Sequence, residues 1–206
     1  MTDSNPYYDR NARAFYDTTV DVALDHLYAP FLALLPPGAK ILDAGCGSGR
    51  DALRFKQQGH VVTLVEPSLA LAELAAELVG QEVLALRFQD LSFDQEFDGA
   101  WASASLLHVP RSEIDDVLAR LWRALRPGGI LYASFKHGEG ERFRNGRFFN
   151  SYTEASFAEL IARHPGFEPL THLLTEDVRT THRGEVWLNV LLRRSDQGDH
   201  LLQGQV

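Results

Sequence analysis

The chain has few of the residues that cross-link small proteins or anchor them in membranes. It contains one cysteine, Cys46, which excludes an internal disulfide and a Cys-rich zinc site. No apolar run approaches the roughly 18 residues of a membrane span. The first ten residues are polar and acidic, unlike a secretory signal. We therefore expect a cytoplasmic protein, with no membrane partner, that is large enough to fold around its own hydrophobic core.

Basic residues are also in deficit. The chain has 20 Lys and Arg against 28 Asp and Glu, a net charge of −8. Residues 1–103 carry 15 acids and 7 bases, whereas residues 104–206 carry 13 of each. Because nucleic acids are bound by basic surfaces, we expect no nucleic-acid partner. The acidic first half instead suits a ligand that carries positive charge. The eight histidines show no HExxH or paired i, i+4 spacing, so we expect no metal site.

Strand-like and helix-like segments alternate through most of the chain. Apolar, β-branched runs predict strands at 39–43, 60–65, 82–88, 97–103 and 130–135, and helical periodicity predicts helices at 7–35, 48–58, 69–79, 110–125 and 153–164. Two further strand-like stretches, about 167–176 and 184–193, indicate a hairpin that places an antiparallel strand at one sheet edge. The fold class is therefore α/β, Rossmann-like and doubly wound, with a mostly parallel sheet and helices on both faces.

We expect a single domain over residues 1–195. It divides into an N-terminal helical cap (1–36), a cofactor-binding core (37–135) and a substrate-side region with the C-terminal strands (136–195). The segment 196–206 has little periodicity and is expected to be a flexible tail.

A glycine cluster between a strand and a helix is the most informative motif. In ILDAGCGSGRD, residues 41–51, Gly45, Gly47 and Gly49 alternate with other residues, which lets a ligand approach the backbone next to a helix N-terminus. The dinucleotide pattern G-x-G-x-x-G would need a third glycine where Arg50 stands. Asp43 would also repel a pyrophosphate, but it suits an ammonium or a sulfonium. The spacing therefore favours S-adenosylmethionine over NAD; a tight turn without a ligand is the structural alternative.

Acidic residues follow the next two predicted strands. Glu66 ends the second, where a carboxylate can accept hydrogen bonds from both ribose hydroxyls, and Pro67 keeps it extended. Asp90 follows the third strand and could accept from an adenine amino group, or it could simply form a turn.

Together these motifs resemble the class I S-adenosylmethionine-dependent methyltransferases, over about residues 40–135. The resemblance implies a seven-stranded sheet whose last strand is antiparallel. It also implies a cofactor site, with S-adenosylhomocysteine as product, in which the methionine moiety lies on the loop residues Asp43, Ala44, Gly45, Cys46, Gly47, Gly49 and Arg50. In that site Glu66 and Pro67 hold the ribose, Gln89, Asp90 and Leu91 face the adenine, and Ala102 and Ser103 lie under the sulfonium.

Cys46 is expected to pack rather than to act as a nucleophile, since no base adjoins it. The aromatic segment 7–18 is expected to close over the cofactor, with Tyr7 or Tyr8 in contact.

The methyl acceptor is expected beyond the ends of the fourth and fifth strands. His108, just before Pro110, is the candidate general base, or alternatively a helix cap or a partner of a backbone carbonyl. Candidate substrate contacts are Trp101, Lys136, His137, Arg142, Arg147 and Trp187. The residues from Lys136 to Arg147 are locally basic and glycine-rich, and they would form either an anion-receiving lid or a solvated loop.

The sequence therefore predicts a methyltransferase that acts on an O, N or S atom of a small molecule. An NAD(P)-dependent oxidoreductase, a non-catalytic S-adenosylmethionine-binding module and a macromolecular acceptor are the alternatives. The residues predict no oligomeric state.

Overall fold

The structure is a computed structural model and describes residues 4–179 and 183–195. The predicted flexible tail, 196–206, lies outside the described residues. Within these ranges no helix is both long enough and apolar enough to cross a membrane.

Helices and strands alternate much as the periodicity predicts. The described helices are α1 (Asn5–Thr19), α2 (Asp25–Leu32), α3 (Arg50–Gln57), α4 (Leu69–Val79), α5 (Ile114–Ala124) and α6 (Glu154–Ala162). The strands are β1 (Lys40–Ala44), β2 (Val61–Val65), β3 (Val83–Leu84), β4 (Phe97–Ala102), β5 (Leu125–Lys136), β6 (Gly140–Arg144), β7 (Arg147–Ser151), β8 (Phe167–Glu176) and β9 (Val186–Arg194). Short 3-10 turns lie at Phe88–Asp90 and Leu106–His108.

Seven strands form one sheet in the order β3-β2-β1-β4-β5-β9-β8. The pairs among β1 to β5 are parallel, while β9 is antiparallel to both β5 and β8. This arrangement confirms the predicted α/β class, the mostly parallel sheet and the antiparallel last strand. Because β9 runs against β5, Trp187 at the start of β9 pairs with Lys136 at the end of β5. The residues 177–179 and 183–185 therefore lie at the carboxyl edge of the parallel strands.

Two apolar cores cover the two faces of the sheet. On one face α5 and α6 pack through side chains such as Leu121 and Phe157. On the other face α2, α3 and α4 contribute Phe31, Phe55 and Ala75. The predicted placement of helices on both faces is confirmed.

The predicted helix 7–35 is two helices. α1 ends at Thr19 and α2 begins at Asp25. The hydroxyls of Thr18 and Thr19 donate back to the carbonyls of Ala14 and Phe15 at 2.8 and 2.7 Å. The β-branched run Thr18-Thr19-Val20 disfavours helix because its side chains lose χ1 freedom there. The break places Val22 in the wall of the cavity described below.

Two other segments differ from the prediction. The third strand, expected over 82–88, pairs with β2 only at Val83 and Leu84, and a 3-10 turn takes over at Phe88. The segment expected to be a loop or lid contains the β6–β7 hairpin. Its turn residues Asn145 and Gly146 both have positive φ, 51° and 78°, as a type I′ turn requires.

Candidate active site

A cavity of about 500 Å³ opens at the carboxyl edge of the sheet. Its walls come from the segments that follow β1, β2, β4 and β5, from α1, from the β6–β7 hairpin and from residues within 175–179 and 185–189. Open α/β sheets bind ligands at this edge, and the volume lies within the roughly 300–1,000 Å³ of small-molecule sites.

The glycine loop is held against β2 and leaves no room for side chains. The N–H groups of Gly45 and Cys46 donate to the carbonyl of Val65 at 2.8 and 3.0 Å. A Cβ on Gly45 would lie 2.5 Å from the Cβ of Ser105, a separation that real structures do not tolerate. Gly47 has φ +54°, and a Cβ there would lie 3.2 Å from Cε1 of Phe15. Helix α1 thus packs directly on the loop.

Glu66 lies at the end of β2 with its carboxylate turned to the cavity. Oε2 accepts from the N–H of Gly47 and Oε1 from the N–H of Ser68, each at 2.9 Å. The residue is buried, and burial outweighs these two hydrogen bonds in raising the pKa of Glu66 to about 7. Each oxygen has a second lone pair, so the carboxylate can still accept hydrogen bonds from a ligand.

Asp43 and Asp51 lie behind the glycine loop, and their surroundings shift the pKa values of the two carboxyl groups in opposite directions. Burial, reinforced by the charge of Asp51, holds the pKa of Asp43 well above its usual range, and Oδ2 of Asp43 has no partner among the described residues. Burial also raises the pKa of Asp51, but the Arg50 guanidinium at 2.6 Å brings it below its usual range. Hydrogen bonds from Tyr28 and Trp101, at 2.6 and 2.8 Å, act in the same direction. Asp51 is therefore the ionised partner, and it fixes Arg50 in the cavity wall.

His108 is held from both sides. Its Nδ1 lies 2.6 Å from the carbonyl oxygen of Phe148, which can only accept, so Nδ1 carries the proton. Nε2 then accepts from the hydroxyl of Tyr8 at 2.8 Å. Burial lowers the pKa of His108 to about 4 and raises that of Tyr8 to about 12, so both groups are neutral near pH 7. The lone pair that a general base would use is already occupied by Tyr8.

The far wall of the cavity carries a compact charged cluster. Lys136 donates to Glu185 and lies 3.4 Å from Oδ2 of Asp177. Asp177 also accepts from Arg179 at 2.6 Å and from the indole N–H of Trp187 at 3.1 Å. The Lys136 ammonium lies 3.8 Å from the centre of the Trp187 ring. The positive charge predicted at Lys136 is therefore neutralised by two carboxylates.

The structure brings most of the predicted cofactor residues to the cavity, although their contacts with a cofactor stay predictions. The lining includes Tyr8, Gly45, Cys46, Gly47, Arg50, Glu66, Pro67, Gln89 and Ser103. The predicted residues outside the lining are Asp43, Ala44, Gly49, Asp90, Leu91 and Ala102. Asp90 is exposed and pairs with Arg87, whereas Leu91 is buried in the core. Asp43, Ala44 and Ala102 lie beneath the surface because they end buried strands.

Two predicted acceptor contacts lie elsewhere. Trp101 is fully buried, stacks on Tyr132 with ring centres 3.7 Å apart and donates to Asp51, so it belongs to the core. His137 lies outside the cavity lining, with its Nε2 2.9 Å from the Glu154 carboxylate. The remaining predicted contacts, Lys136, Arg142, Arg147 and Trp187, line the cavity together with His108.

Some of the lining residues were missing from the sequence prediction. Asp177 and Arg179 lie in the connection before β9, and the antiparallel pairing of β9 with β5 is the signal that would have placed them at this edge. Ser4 and Phe15 enter from α1 and its N-cap. Arg144 lines the cavity from the hairpin, which the Asn145-Gly146 dipeptide would have revealed.

Residues 41–129 match the family model described as methyltransferase domain. A solved structure of 1,6-didemethyltoxoflavin-N1-methyltransferase from Burkholderia thailandensis, with its substrate and S-adenosylhomocysteine bound, is 29% identical to this chain. It superimposes with a TM-score of 0.74 over 93% of this chain and 85% of that one. The chain is therefore similar to the class I S-adenosylmethionine-dependent methyltransferases. This finding confirms the resemblance drawn from the motifs and favours S-adenosylmethionine over NAD as the cofactor.

Two curated relatives match a shorter part of the chain. The 24-methylenesterol C-methyltransferase 3 of Arabidopsis thaliana is 31% identical over 55% of this chain and 33% of its own length. The trans-aconitate 2-methyltransferase of Deinococcus radiodurans is 34% identical over 48% of this chain and 39% of its own length. The chain thus matches 33% and 39% of the lengths of these relatives, and their different acceptors do not select a substrate for it.

The cavity fits S-adenosylmethionine on two observations. The glycine loop presents bare backbone where a Cβ at Gly45 would have no space. Glu66 faces the cavity with unused lone pairs, as two ribose hydroxyls require. Asp43 is buried outside the cavity lining, and its contact with the ammonium of a ligand stays a prediction.

Proposed function

We propose that the chain transfers a methyl group from S-adenosylmethionine to an O, N or S atom of a small molecule. The observation that supports this best is the continuity of the cavity, which joins the glycine loop and Glu66 to a separate wall made by the hairpin and Trp187. When bound, the cofactor supplies an activated methyl group on a sulfonium. The small-molecule acceptor of the toxoflavin methyltransferase agrees with a cavity of this size.

The chain's own residues would act mainly by positioning. Glu66 would accept from the ribose hydroxyls, and the backbone of the loop at Gly45 and Gly47 would lie against the methionine moiety. Positioning of this kind is worth about 7–11 kcal/mol of a reaction barrier. Helix α1 would exclude water, since Tyr8 and Phe15 cover the loop side of the cavity.

His108 is better supported as a positioning residue than as the predicted base. Its Nε2 holds the Tyr8 hydroxyl, and its low pKa makes it a weak acceptor of protons. Acting as a base would require Tyr8 to leave Nε2 first. We infer that His108 connects α1 to β7 through Tyr8 and Phe148.

A screen with labelled methyl donor tests the proposal. The protein is incubated with labelled S-adenosylmethionine and pools of small molecules bearing hydroxyl, amine, thiol or carboxylate groups. We expect transfer to at least one pool, and calorimetry should show binding of S-adenosylhomocysteine but not of NAD. Binding without any transfer would favour the non-catalytic module, and no binding of S-adenosylhomocysteine would reject the cofactor site itself.

A further inference from the structure

We propose that the β6–β7 hairpin presents an anion-binding face, made by Arg142, Arg144 and Arg147, that recognises a carboxylate or phosphate group on the methyl acceptor. The inference rests on the proposed function, because it assigns the substrate class of that same cavity.

The strand register places the three guanidinium groups on one face. Arg144 pairs directly with Arg147, and Arg142 pairs with Phe149. Alternate residues of a strand share a face, so Arg142 and Arg144 lie on the same side of β6. All four residues line the cavity. The hairpin therefore turns its basic face towards the space where the acceptor would lie.

This arrangement is unfavourable unless a negative group joins it. Like charges directly opposite each other destabilise an antiparallel pair. Among the described residues no carboxylate forms an ion pair with Arg142, Arg144 or Arg147. Glu141 in β6 and Glu139 just before it are engaged elsewhere, since Glu141 accepts from the backbone N–H of Arg111 and Glu139 accepts from Thr153.

The other cations of the cavity are already neutralised. Arg50 pairs with Asp51, Arg87 pairs with Asp90, and both Lys136 and Arg179 pair with Asp177. Uncompensated positive charge in the cavity wall is thus concentrated on the hairpin, in a chain whose net charge is −8.

Arg147 shows most directly that the face is built for a ligand. Its guanidinium lies 4.9 Å from the ring centre of Tyr7 and 5.1 Å from that of Phe149, which fixes its plane. Its Nε is buried and has no hydrogen-bond partner among the described residues. A fixed guanidinium with a free donor binds carboxylate and phosphate oxygens in a planar fork.

The anion has two possible sources, the acceptor or the carboxylate of the cofactor's own methionine moiety. Arg142 and Arg144 extend along the hairpin from Arg147, whereas the loop residues Gly45 and Gly47 lie across the cavity under α1. A face of three arginines exceeds what one carboxylate requires, which favours the acceptor.

The test measures binding of inorganic phosphate at constant ionic strength, with chloride as the balancing anion. Calorimetry is carried out on the full chain with and without saturating S-adenosylhomocysteine. The test variants are Arg142→Gln with Arg144→Gln, and separately Arg147→Gln. The control is Arg123→Gln with Arg163→Gln, which removes two positive charges at exposed positions outside the cavity lining. Far-ultraviolet circular dichroism verifies that each variant is folded.

We expect saturable phosphate binding in the presence of S-adenosylhomocysteine, weakened at least tenfold in both test variants and unchanged in the control. No saturable binding, or equal loss in the test and control doubles, would overturn the proposal. Competition between phosphate and S-adenosylhomocysteine would assign the arginines to the cofactor carboxylate and overturn it as well. Absence of S-adenosylhomocysteine binding would reject the proposed function, whereas its presence without phosphate binding rejects only this inference.

Discussion

The hydroxyl of Tyr8 donates to Nε2 of His108 across 2.8 Å, linking the first helix to a loop a hundred residues further along the chain. The opposite nitrogen of the same ring donates to the carbonyl of Phe148 in β7. Ser4, at the N-cap of α1, accepts from the N–H of Phe148 at 3.0 Å. The imidazole therefore joins three segments that close one side of the cavity, and the bond that Nε2 accepts from Tyr8 requires the ring to be neutral.

Replacing Tyr8 with Phe should destabilise the protein by about 1–3 kcal/mol, because it leaves a buried acceptor on His108 without a partner. Urea denaturation would give the free energy of unfolding. Tyr16→Phe is the matched control on the same helix, since the hydroxyl of Tyr16 makes no hydrogen bond to a described residue; its change should stay within about 0.5 kcal/mol. Equal effects of the two substitutions would show that the Tyr8–His108 bond contributes nothing.

Glu66 and His108 should have opposite effects on the pH dependence of stability. The pKa of His108 falls from 6.5 to about 4 on folding, so the unfolded chain binds the extra proton and stability is lost as pH falls from about 6.5 to 4. The pKa of Glu66 rises from 4.5 to about 7, so the folded chain binds the extra proton and stability is lost as pH rises from about 4.5 to 7. Between about 4.5 and 6.5 the two effects oppose each other.

Glu66→Gln should therefore make the rise of stability with pH steeper by about 1.4 kcal/mol per pH unit between 4.5 and 6.5. Urea denaturation at several pH values, compared with the unchanged chain, isolates this difference. The same variant should bind S-adenosylhomocysteine about 1.5–3 kcal/mol more weakly at neutral pH, since it loses a charged acceptor. Parallel pH profiles of the two proteins would mean that folding leaves the pKa of Glu66 unchanged.

Periodicity and the glycine motif were enough to predict the sheet, because the segments 39–43, 60–65, 97–103 and 130–135 are short, mostly apolar runs bounded by turn residues. The position of Glu66 followed from the same reasoning, since the carboxyl ends of parallel strands meet at one edge. The hairpin was missed because its glycines and charges outweighed a two-residue signal, Asn145-Gly146, between Phe143 and Phe148.

The burial of Trp101 in the core could not be predicted from the sequence, for a different reason. A parallel strand covered on both faces is apolar throughout, so it shows no alternation that would distinguish a side chain in the core from one at the site. The partner that fixes Trp101, Asp51, lies on α3, and a buried carboxylate with three donors has no local signature. Asp177 likewise depends on the pairing of β9 with β5.

Trp101→Phe should lower stability without affecting the acceptor. The substitution removes a hydrogen bond to the ionised Asp51 and leaves a cavity beside Tyr132, which together should cost about 2–4 kcal/mol. Trp187→Phe is the matched comparison, because Trp187 lines the cavity. We expect Trp187→Phe to raise the Michaelis constant for the acceptor and Trp101→Phe to leave it within about twofold. A raised Michaelis constant with unchanged stability in Trp101→Phe would restore the original prediction of a substrate contact.

A comparison of Gly47→Ala with Gly80→Ala should distinguish the effect of the α1 contact on cofactor binding from the effect of backbone strain. An alanine at φ +54° is strained by about 1–2 kcal/mol, and its Cβ would lie 3.2 Å from the ring of Phe15. Gly80→Ala has φ +69° with nothing within 4 Å, so it is subject to similar strain without the crowding. We expect the two substitutions to lower the free energy of unfolding by similar amounts. Only Gly47→Ala should weaken S-adenosylhomocysteine binding, by about tenfold in calorimetry, because its Cβ displaces α1 from the loop.

The double variant Gly47→Ala with Phe15→Ala decides whether the displacement of α1 is the cause. If Phe15 is the group that the new Cβ meets, removing its ring relieves the crowding, and the two substitutions together should weaken binding by less than the sum of their separate effects. Strict additivity would mean that Gly47→Ala acts only through the conformation of the loop. In that event α1 would lie over the cofactor side of the cavity without influencing how tightly the cofactor binds.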